Sequence, residues 1–390
     1  MNLFPIMTSS AIVSAVRRSQ RSLISAVALG VVAAALTACG STKPQPAPLE
    51  NLTPTQKVSV LWSQRIGSAD GFTNLAVTGT TVAWATTDGQ VVSLDATTGA
   101  TRWRGQVDAK VAAGVGSDGR YAAVVTTENE LVVMDQGKVL WRDRQPGRVI
   151  TAPLVAGERV FIQGVDRSVR AYDVKDGRWL WQYQRPGSDP LSLSAPGLLQ
   201  PYRNTLAVGQ GSRLVGLDPT RGSVLFDLSL GTPRGTNEVE RLADLVGPGA
   251  RVGDSICVRA YQLSVGCVDM SRGRLVWTKP QTGAAAVGAS ASLVVGADSA
   301  DRLSAWRTDS GDVRWRVDRF QYRGLSAPTV WGELVAVADH DGYLHVLSAA
   351  DGRTVARISL DNTLSAAPVL IDNILIVATR SGTVYGLRAN

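Results

Sequence analysis

Ser93-Leu94-Asp95-Ala96-Thr97-Thr98-Gly99-Ala100-Thr101-Arg102-Trp103 and Ala171-Tyr172-Asp173-Val174-Lys175-Asp176-Gly177-Arg178-Trp179-Leu180-Trp181 are two copies of one unit. Each is an apolar strand, an aspartate, a glycine four residues on and a tryptophan four after that. The Gly-x-x-x-aromatic step recurs at Gly99/Trp103, Gly137/Trp141, Gly177/Trp181, Gly222/Phe226, Gly273/Trp277 and Gly311/Trp315, with a degenerate copy at Gly352/Ala356. Successive intervals are 38, 40, 45, 51, 38 and 41 residues. Units of this length with β-type alternation are single blades of a β-propeller, four strands each. The alternation is expected to place Val91 and Leu94 on one face of a strand and Val92 and Asp95 near the other. Asp and Gly close the turn between the third and fourth strands, glycine taking the positive φ that other residues resist. The tryptophan then lies on the outermost strand, where a ring burying about 150 Å² or more wedges against the neighbouring blade. Six of the ten tryptophans hold this position, counting Trp62, so they are assigned to structure rather than to a stacked-aromatic ligand site.

The ends of the chain give the blade count. Seven repeats run from Asp88 to Leu360, and Ser381-Gly382-Thr383-Val384-Tyr385-Gly386-Leu387 supplies the third strand of an eighth with no outer strand after it. That strand stands at the other end, as Val58-Ser59-Val60-Leu61-Trp62-Ser63-Gln64-Arg65. The fold class is therefore all-β: an eight-bladed β-propeller of four-stranded antiparallel blades over residues 58–390, closed by pairing of its N- and C-terminal segments. Closure of this kind removes the open edges that a flat sheet would present.

Upstream, Arg17, Arg18 and Arg21 precede a mostly apolar run from Ser22 to Ala35, too short for a stable membrane span, which needs about 20 apolar residues. The run ends in Leu36-Thr37-Ala38-Cys39-Gly40, which resembles the bacterial lipobox. Residues 1–38 are thus expected to be a lipoprotein signal peptide, with Cys39 the lipidated first residue of the mature chain. Gly40 in place of an aspartate resembles the outer-membrane sorting signature of Gram-negative lipoproteins. Residues 39–57 are expected as a tether, since Ser41-Thr42-Lys43-Pro44-Gln45-Pro46-Ala47-Pro48 has three prolines in eight residues and favours an extended spacer.

Composition narrows the function. The chain has 390 residues, 44% of them hydrophobic and 19% charged, with only 3 Cys and 2 His. It has material for a large core and almost none for a zinc or haem site. Without the leader's three arginines, 37 basic residues face 33 acidic ones. That weak excess is interleaved rather than clustered, so nucleic-acid binding has no support. No phosphate loop, Ser/His/Asp set or paired acids emerge, and no cofactor is expected.

A repeat carries function where it departs from itself, because insertions fall in loops. The two longest intervals are adjacent, and both lengthen a connection from one blade's outer strand to the next blade: Pro186 to Pro196, and Gly231 to Pro248. Both are expected on one face. Within the second, Asn237 to Leu245 is expected to form a short helix, with Asn237 as N-cap, Glu240 as capping-box partner, and Val239, Leu242 and Leu245 sharing a face. Whether it packs on its own propeller or docks a second protein stays open. Cys257 and Cys267 flank a turn at Tyr261 to Leu263, an arrangement in which a disulfide could bridge two strands in an oxidising compartment. His340 and His345 bracket an Asp-Gly turn and are expected as surface turn residues.

Taken together, the lipobox, the Pro-rich tether, eight blades, the Leu-Ser-Leu loop, the loop Asn237 to Asp244, and the terminal Asp341-Gly342-Tyr343-Leu344-His345 and Ser381-Gly382-Thr383-Val384-Tyr385 resemble the BamB family of outer-membrane protein assembly factors. The resemblance covers essentially the whole chain. It implies a non-catalytic lipoprotein of the β-barrel assembly machinery (BAM complex), anchored in the outer membrane and binding the POTRA domains of BamA. Unfolded outer-membrane protein clients are a further partner it leaves open. The family's contact leucines carry over as Leu191 and Leu193, while the arginine that follows them is Ser194 here. Arg241 joins the expected contact set, and the family's Asp-x-Asp becomes Asp244-Leu245-Val246, so only Asp244 carries over. Two other classes share the repeat: a generic periplasmic scaffold or sensor, and quinone-dependent dehydrogenases. The latter resemble the chain in repeat but need a vicinal cysteine pair and calcium ligands, whereas Cys257 and Cys267 are not adjacent.

Overall fold

The aspartate of the repeat organises its turn through its side chain. Asp95 Oδ1 accepts the backbone N–H groups of Thr97 and Thr98, both at 3.0 Å, and Asp218 and Asp269 repeat the pattern with the two corresponding N–H groups of their own turns. Glycine then closes the turn at positive φ, 73° at Gly99. The computed structural model describes residues 44–186 and 191–390. The signal segment, Cys39 and the start of the tether, like Gly187 to Pro190 of the first long connection, lie outside the described residues.

The described strands form eight antiparallel sheets. Numbered by their first strands, blade 1 runs from Ala76–Thr78 to Thr101–Gln106, blade 2 from Val111–Ser117 to Lys138–Arg144, and blade 3 from Leu154–Ala156 to Trp179–Tyr183. Blade 4 runs from Leu199–Tyr202 to Val224–Ser229, blade 5 from Leu245–Val252 to Arg274–Pro280, blade 6 from Gly288–Ala289 to Val313–Val317, and blade 7 from Thr329–Trp331 to Thr354–Ser359. Blade 2 gains a fifth strand, Phe72–Thr73, which pairs parallel to its inner strand. Blade 8 combines Val369–Ile371, Ile374–Ala378 and Thr383–Ala389 with Val58–Arg65 from the opposite end of the chain. Its closing register runs from Val58 opposite Ala389 to Arg65 opposite Thr383.

Blades stack face to face, and this corrects the expected alternation. Val91, Val92, Ser93 and Leu94 are all buried, because the third strand is covered on both sides. Val92 and Leu94 pack toward blade 8 and Val91 toward blade 2, so Val91 and Leu94 occupy opposite faces. Continuous apolar runs are what a strand buried on both faces requires.

The repeat's tryptophan meets its glycine across the seam between blades. Trp62, Trp141, Trp181, Trp277 and Trp315 each donate the indole N–H to a carbonyl in the third-to-fourth-strand turn of the following blade, at 2.8–3.0 Å. Each ring covers that turn's glycine. A methyl group added at Gly177 would fall 2.7 Å from Trp141, and one at Gly352 2.8 Å from Trp315. Glycine is thus needed twice, for its φ and for the space its neighbour's ring occupies. Every outer strand also carries a bulge one residue before its aromatic position, such as Leu140 before Trp141 and Val355 before Ala356. Bulges twist an edge away from further pairing.

Residues from Pro46 belong to the same compact unit as the propeller. They run as a strap along the rim of blade 7: Ala47 N–H donates to Gln321 O at 2.9 Å, and the N–H groups of Thr55 and Gln56 both donate to Val355 O at 2.9 and 3.2 Å.

Candidate partner-binding site

In a four-stranded antiparallel blade, the turn between strands two and three lies on the same face as the connection to the next blade. Three such turns carry Gly89, Gly342 and Gly382 with φ of 96°, 85° and 99°. Blade 3 puts Arg167 at the corresponding place, with φ 62°. A left-handed conformation costs a side-chain-bearing residue about 1–2 kcal/mol. The contacts of the Arg167 side chain show what holds it there.

Its Nε donates to Asp244 Oδ1 at 3.1 Å, its Nη2 lies 2.9 Å from the same oxygen, and Nη2 also donates to Leu191 O at 2.7 Å. The other carboxylate oxygen of Asp244 accepts the backbone N–H of Leu193 at 3.0 Å. Ser192 Oγ donates to Val165 O in the Arg167 turn at 2.6 Å. One arginine and one aspartate therefore tie blade 3 to both long connections, 184–198 and 230–244. Arg167 and Asp244 are largely buried, and a charge-assisted network at such depth is stronger than an exposed ion pair.

Leu191 is 37% exposed, Leu193 is half-buried, and Ser194 and Arg241 are exposed. The structure thus bonds Leu193 directly to Asp244 and joins Leu191 to it through Arg167. The carboxylate of Asp244 is committed within the chain, so its immediate role is to hold the leucine loop in place. Beside it, Arg167, Arg185, Leu191, Arg213, Arg241 and Leu242 line a cleft of about 330 Å³. Asp227 bridges Arg185 and Arg213 at 2.8 and 2.6 Å. Cations outnumber acids in this group, which suits an acidic or amphipathic segment.

The expected helix at Asn237 to Leu245 is replaced by a single turn followed by extended chain. The cap itself forms: Asn237 Oδ1 accepts Glu240 N–H at 2.9 Å, while Glu240 Oε2 accepts Thr236 N–H at 2.8 Å. Nucleating a helix is costly, and Leu245 is claimed by the inner strand of blade 5, leaving too few residues to propagate one. Val239 is 67% exposed while Leu245 is buried, so these side chains share no face.

Arg167 escaped the repeat comparison, which weighed insertions only. The readable signal was an arginine at a turn position that three other blades fill with glycine and two with Asn129 and Asp301. Cys257 and Cys267 are register partners on adjacent strands of blade 5 and are joined by a disulfide. His340 is exposed, but His345 is fully buried, correcting its expected surface position. It occupies the third strand of blade 7, where its ring centroid lies 4.7 Å from that of Phe320, the planes tilted by 46°, and its Nε2 bonds Asp339.

The sequence pattern of the family described as outer membrane protein assembly factor BamB matches residues 56–113, 87–317 and 308–390. The BamB of Burkholderia pseudomallei is 34% identical, over 93% of this chain and 97% of its own length. That of Bordetella pertussis is 33% identical, over 89% of this chain and 91% of its own. In fold the chain is similar to the crystal structure of BamB from Moraxella catarrhalis, with a TM-score of 0.75 and 22% identity, over 85% of this chain and all of that one. It also resembles the quinohemoprotein alcohol dehydrogenase of Comamonas testosteroni, with a TM-score of 0.60 and 15% identity, over 85% of this chain and 76% of that one, a likeness of propeller alone. Matched across its propeller by one family pattern and sharing a third of its residues with proteins of that family along about nine-tenths of its length, the chain belongs to the family of the outer membrane protein assembly factor BamB.

Proposed function

We propose that this chain is a non-catalytic, lipid-anchored subunit of the outer-membrane β-barrel assembly machinery, held through Cys39 on the periplasmic side of the outer membrane. Its loop face binds the POTRA domains of BamA, with Leu191, Leu193, Ser194 and Arg241 at the contact and Asp244 positioning the leucine loop. The observation that carries this is the Arg167–Asp244 tie, which fixes two extended connections side by side next to a cationic cleft. A rigid platform loses little conformational entropy on docking. The dehydrogenase alternative has less in its favour, since the two cysteines bridge separate strands instead of forming a vicinal pair.

The test is photo-crosslinking from position 193 in intact cells, with the trapped protein identified by mass spectrometry. A BamA adduct is the expected result. Correct outer-membrane localisation with no BamA adduct would instead favour a generic scaffold.

A further inference from the structure

The strap, residues 46–57, closes a buried polar chain at both ends. Arg323 Nη1 donates to Ala47 O at 2.9 Å, while its Nε and Nη2 bond Asp339 Oδ2 at 2.8 and 2.7 Å and its Nη2 bonds Asp341 Oδ2 at 2.6 Å. Asp339 Oδ2 lies 3.0 Å from His345 Nε2, and Arg357 Nε donates to His345 Nδ1 at 3.3 Å. A carboxylate there can only accept, so Nε2 carries the imidazole proton and Nδ1 is the acceptor. Arg357 Nη1 then donates to Glu50 O at 3.1 Å. The chain of contacts runs from strap carbonyl to strap carbonyl through Arg323, Asp339, His345 and Arg357. Arg323, Asp339 and His345 are buried, so a departing strap would leave a buried guanidinium one acceptor short.

The two ends of the strap lie on opposite faces. Thr55 and Gln56 bond the start of the outer strand of blade 7, at the face that carries the turns between strands three and four. Ala47 bonds Gln321 and Arg323 in the connection between blades 6 and 7, on the face that carries Arg167, Leu193 and Asp244.

We propose that the strap is a clamp that fixes where the lipid-bearing chain departs, bringing it out on the partner-binding face. The proposal rests on the reading of Cys39 as the lipidated residue. Seven residue steps separate Cys39 from Pro46, a reach of at most about 25 Å, whereas the nineteen steps from Cys39 to Val58 would allow about 65 Å. The clamp therefore converts a long tether into a short leash, and the membrane and the docking surface come to share one side of the propeller.

The experiment uses the full-length lipidated protein in phosphatidylethanolamine/phosphatidylglycerol vesicles carrying a headgroup-attached energy-transfer acceptor. A donor dye is placed by Arg380→Cys on the loop face or by Glu333→Cys on the opposite face; both positions are exposed turns. Transfer from position 380 is expected to exceed that from position 333 at least threefold. Release of the strap by Ala47→Pro, Thr55→Pro and Gln56→Pro, which removes the three backbone N–H groups it donates to Gln321 and Val355, is expected to bring the two signals within a factor of about 1.5. Equal transfer in the parent protein, or a difference that survives release, would overturn the clamp. Protein that fails to float with the vesicles would overturn the lipid-anchor reading and the proposal with it, an outcome distinct from flotation with equal transfer.

Discussion

The seam between blades 3 and 4 and the seam between blades 7 and 8 solve one packing problem with different parts. In the first, Trp181 covers Gly222 and donates its indole N–H to Pro219 O at 3.0 Å. In the second, the position of the tryptophan is Ala356, and the receiving turn does not exist, because strands three and four of blade 8 come from opposite ends of the chain. There, Val58 packs on Val346, Val355 and Ala356, and the strap caps Val355 O. Ala356 is thus a position whose socket is missing. A degenerate repeat marks the place where the ring of blades is closed without a covalent turn.

Three tests would break or sharpen that contrast. Trp181→Ala should cost about 3–5 kcal/mol, since it empties a buried site and removes the bridge to blade 4. Trp181→Phe, which forfeits mainly the indole N–H, should cost about 1 kcal/mol. Urea unfolding monitored by circular dichroism would give both, and equal losses would mean that the hydrogen bond, not ring burial, holds the seam.

Next in size is a pair at equivalent bulged positions. Val355 is 6% exposed beneath the strap and Leu225 of blade 4 is 53% exposed. Val355→Asp should destabilise by about 3 kcal/mol, a buried carboxylate without a partner, whereas Leu225→Asp should stay within about 0.5 kcal/mol. Similar midpoint shifts for both would show that the strap does not shield its blade.

The third test concerns pH. Burial pushes the Asp339 carboxyl up, but hydrogen bonds from His345, Tyr343 N–H and Arg323 outweigh it and hold the group down at about 2. A pKa depressed below its unfolded value near 3.9 stabilises the fold above that value, and the contribution is lost as pH falls from about 4 toward 2. About 2 kcal/mol should disappear over that window, and Asp339→Asn should flatten that part of a stability-versus-pH profile. An unchanged profile in the variant would place the acid sensitivity elsewhere.

The regular seams were legible because they repeat. A spacing of four between Asp and Gly, and four again to Trp, encodes a turn and the ring that covers its neighbour's turn. The missing outer strand of the last blade was equally visible, since Val58 to Arg65 matches no other vacancy. The candidate site was legible only in part. Insertions marked Pro186 to Pro196 and Gly231 to Pro248, but Arg167 lies in neither, and its contacts with Leu191 and Asp244 cross 24 and 77 residues. The helix expected at Asn237 had a cap but too little chain before the strand at Leu245.

By itself, then, the sequence determined the class of fold, the number of blades and the way the ring closes, since these follow from local turn chemistry and apolar patterning repeated along the chain. Only the tertiary structure decided that Val91 and Leu94 face different blades, that Asp244 is consumed in holding a loop, that His345 is buried and that the tether's second half is docked. Each of these depends on which distant carbonyl or carboxylate lies within about 3 Å of a donor, and no spacing along one chain fixes that before the blades have stacked.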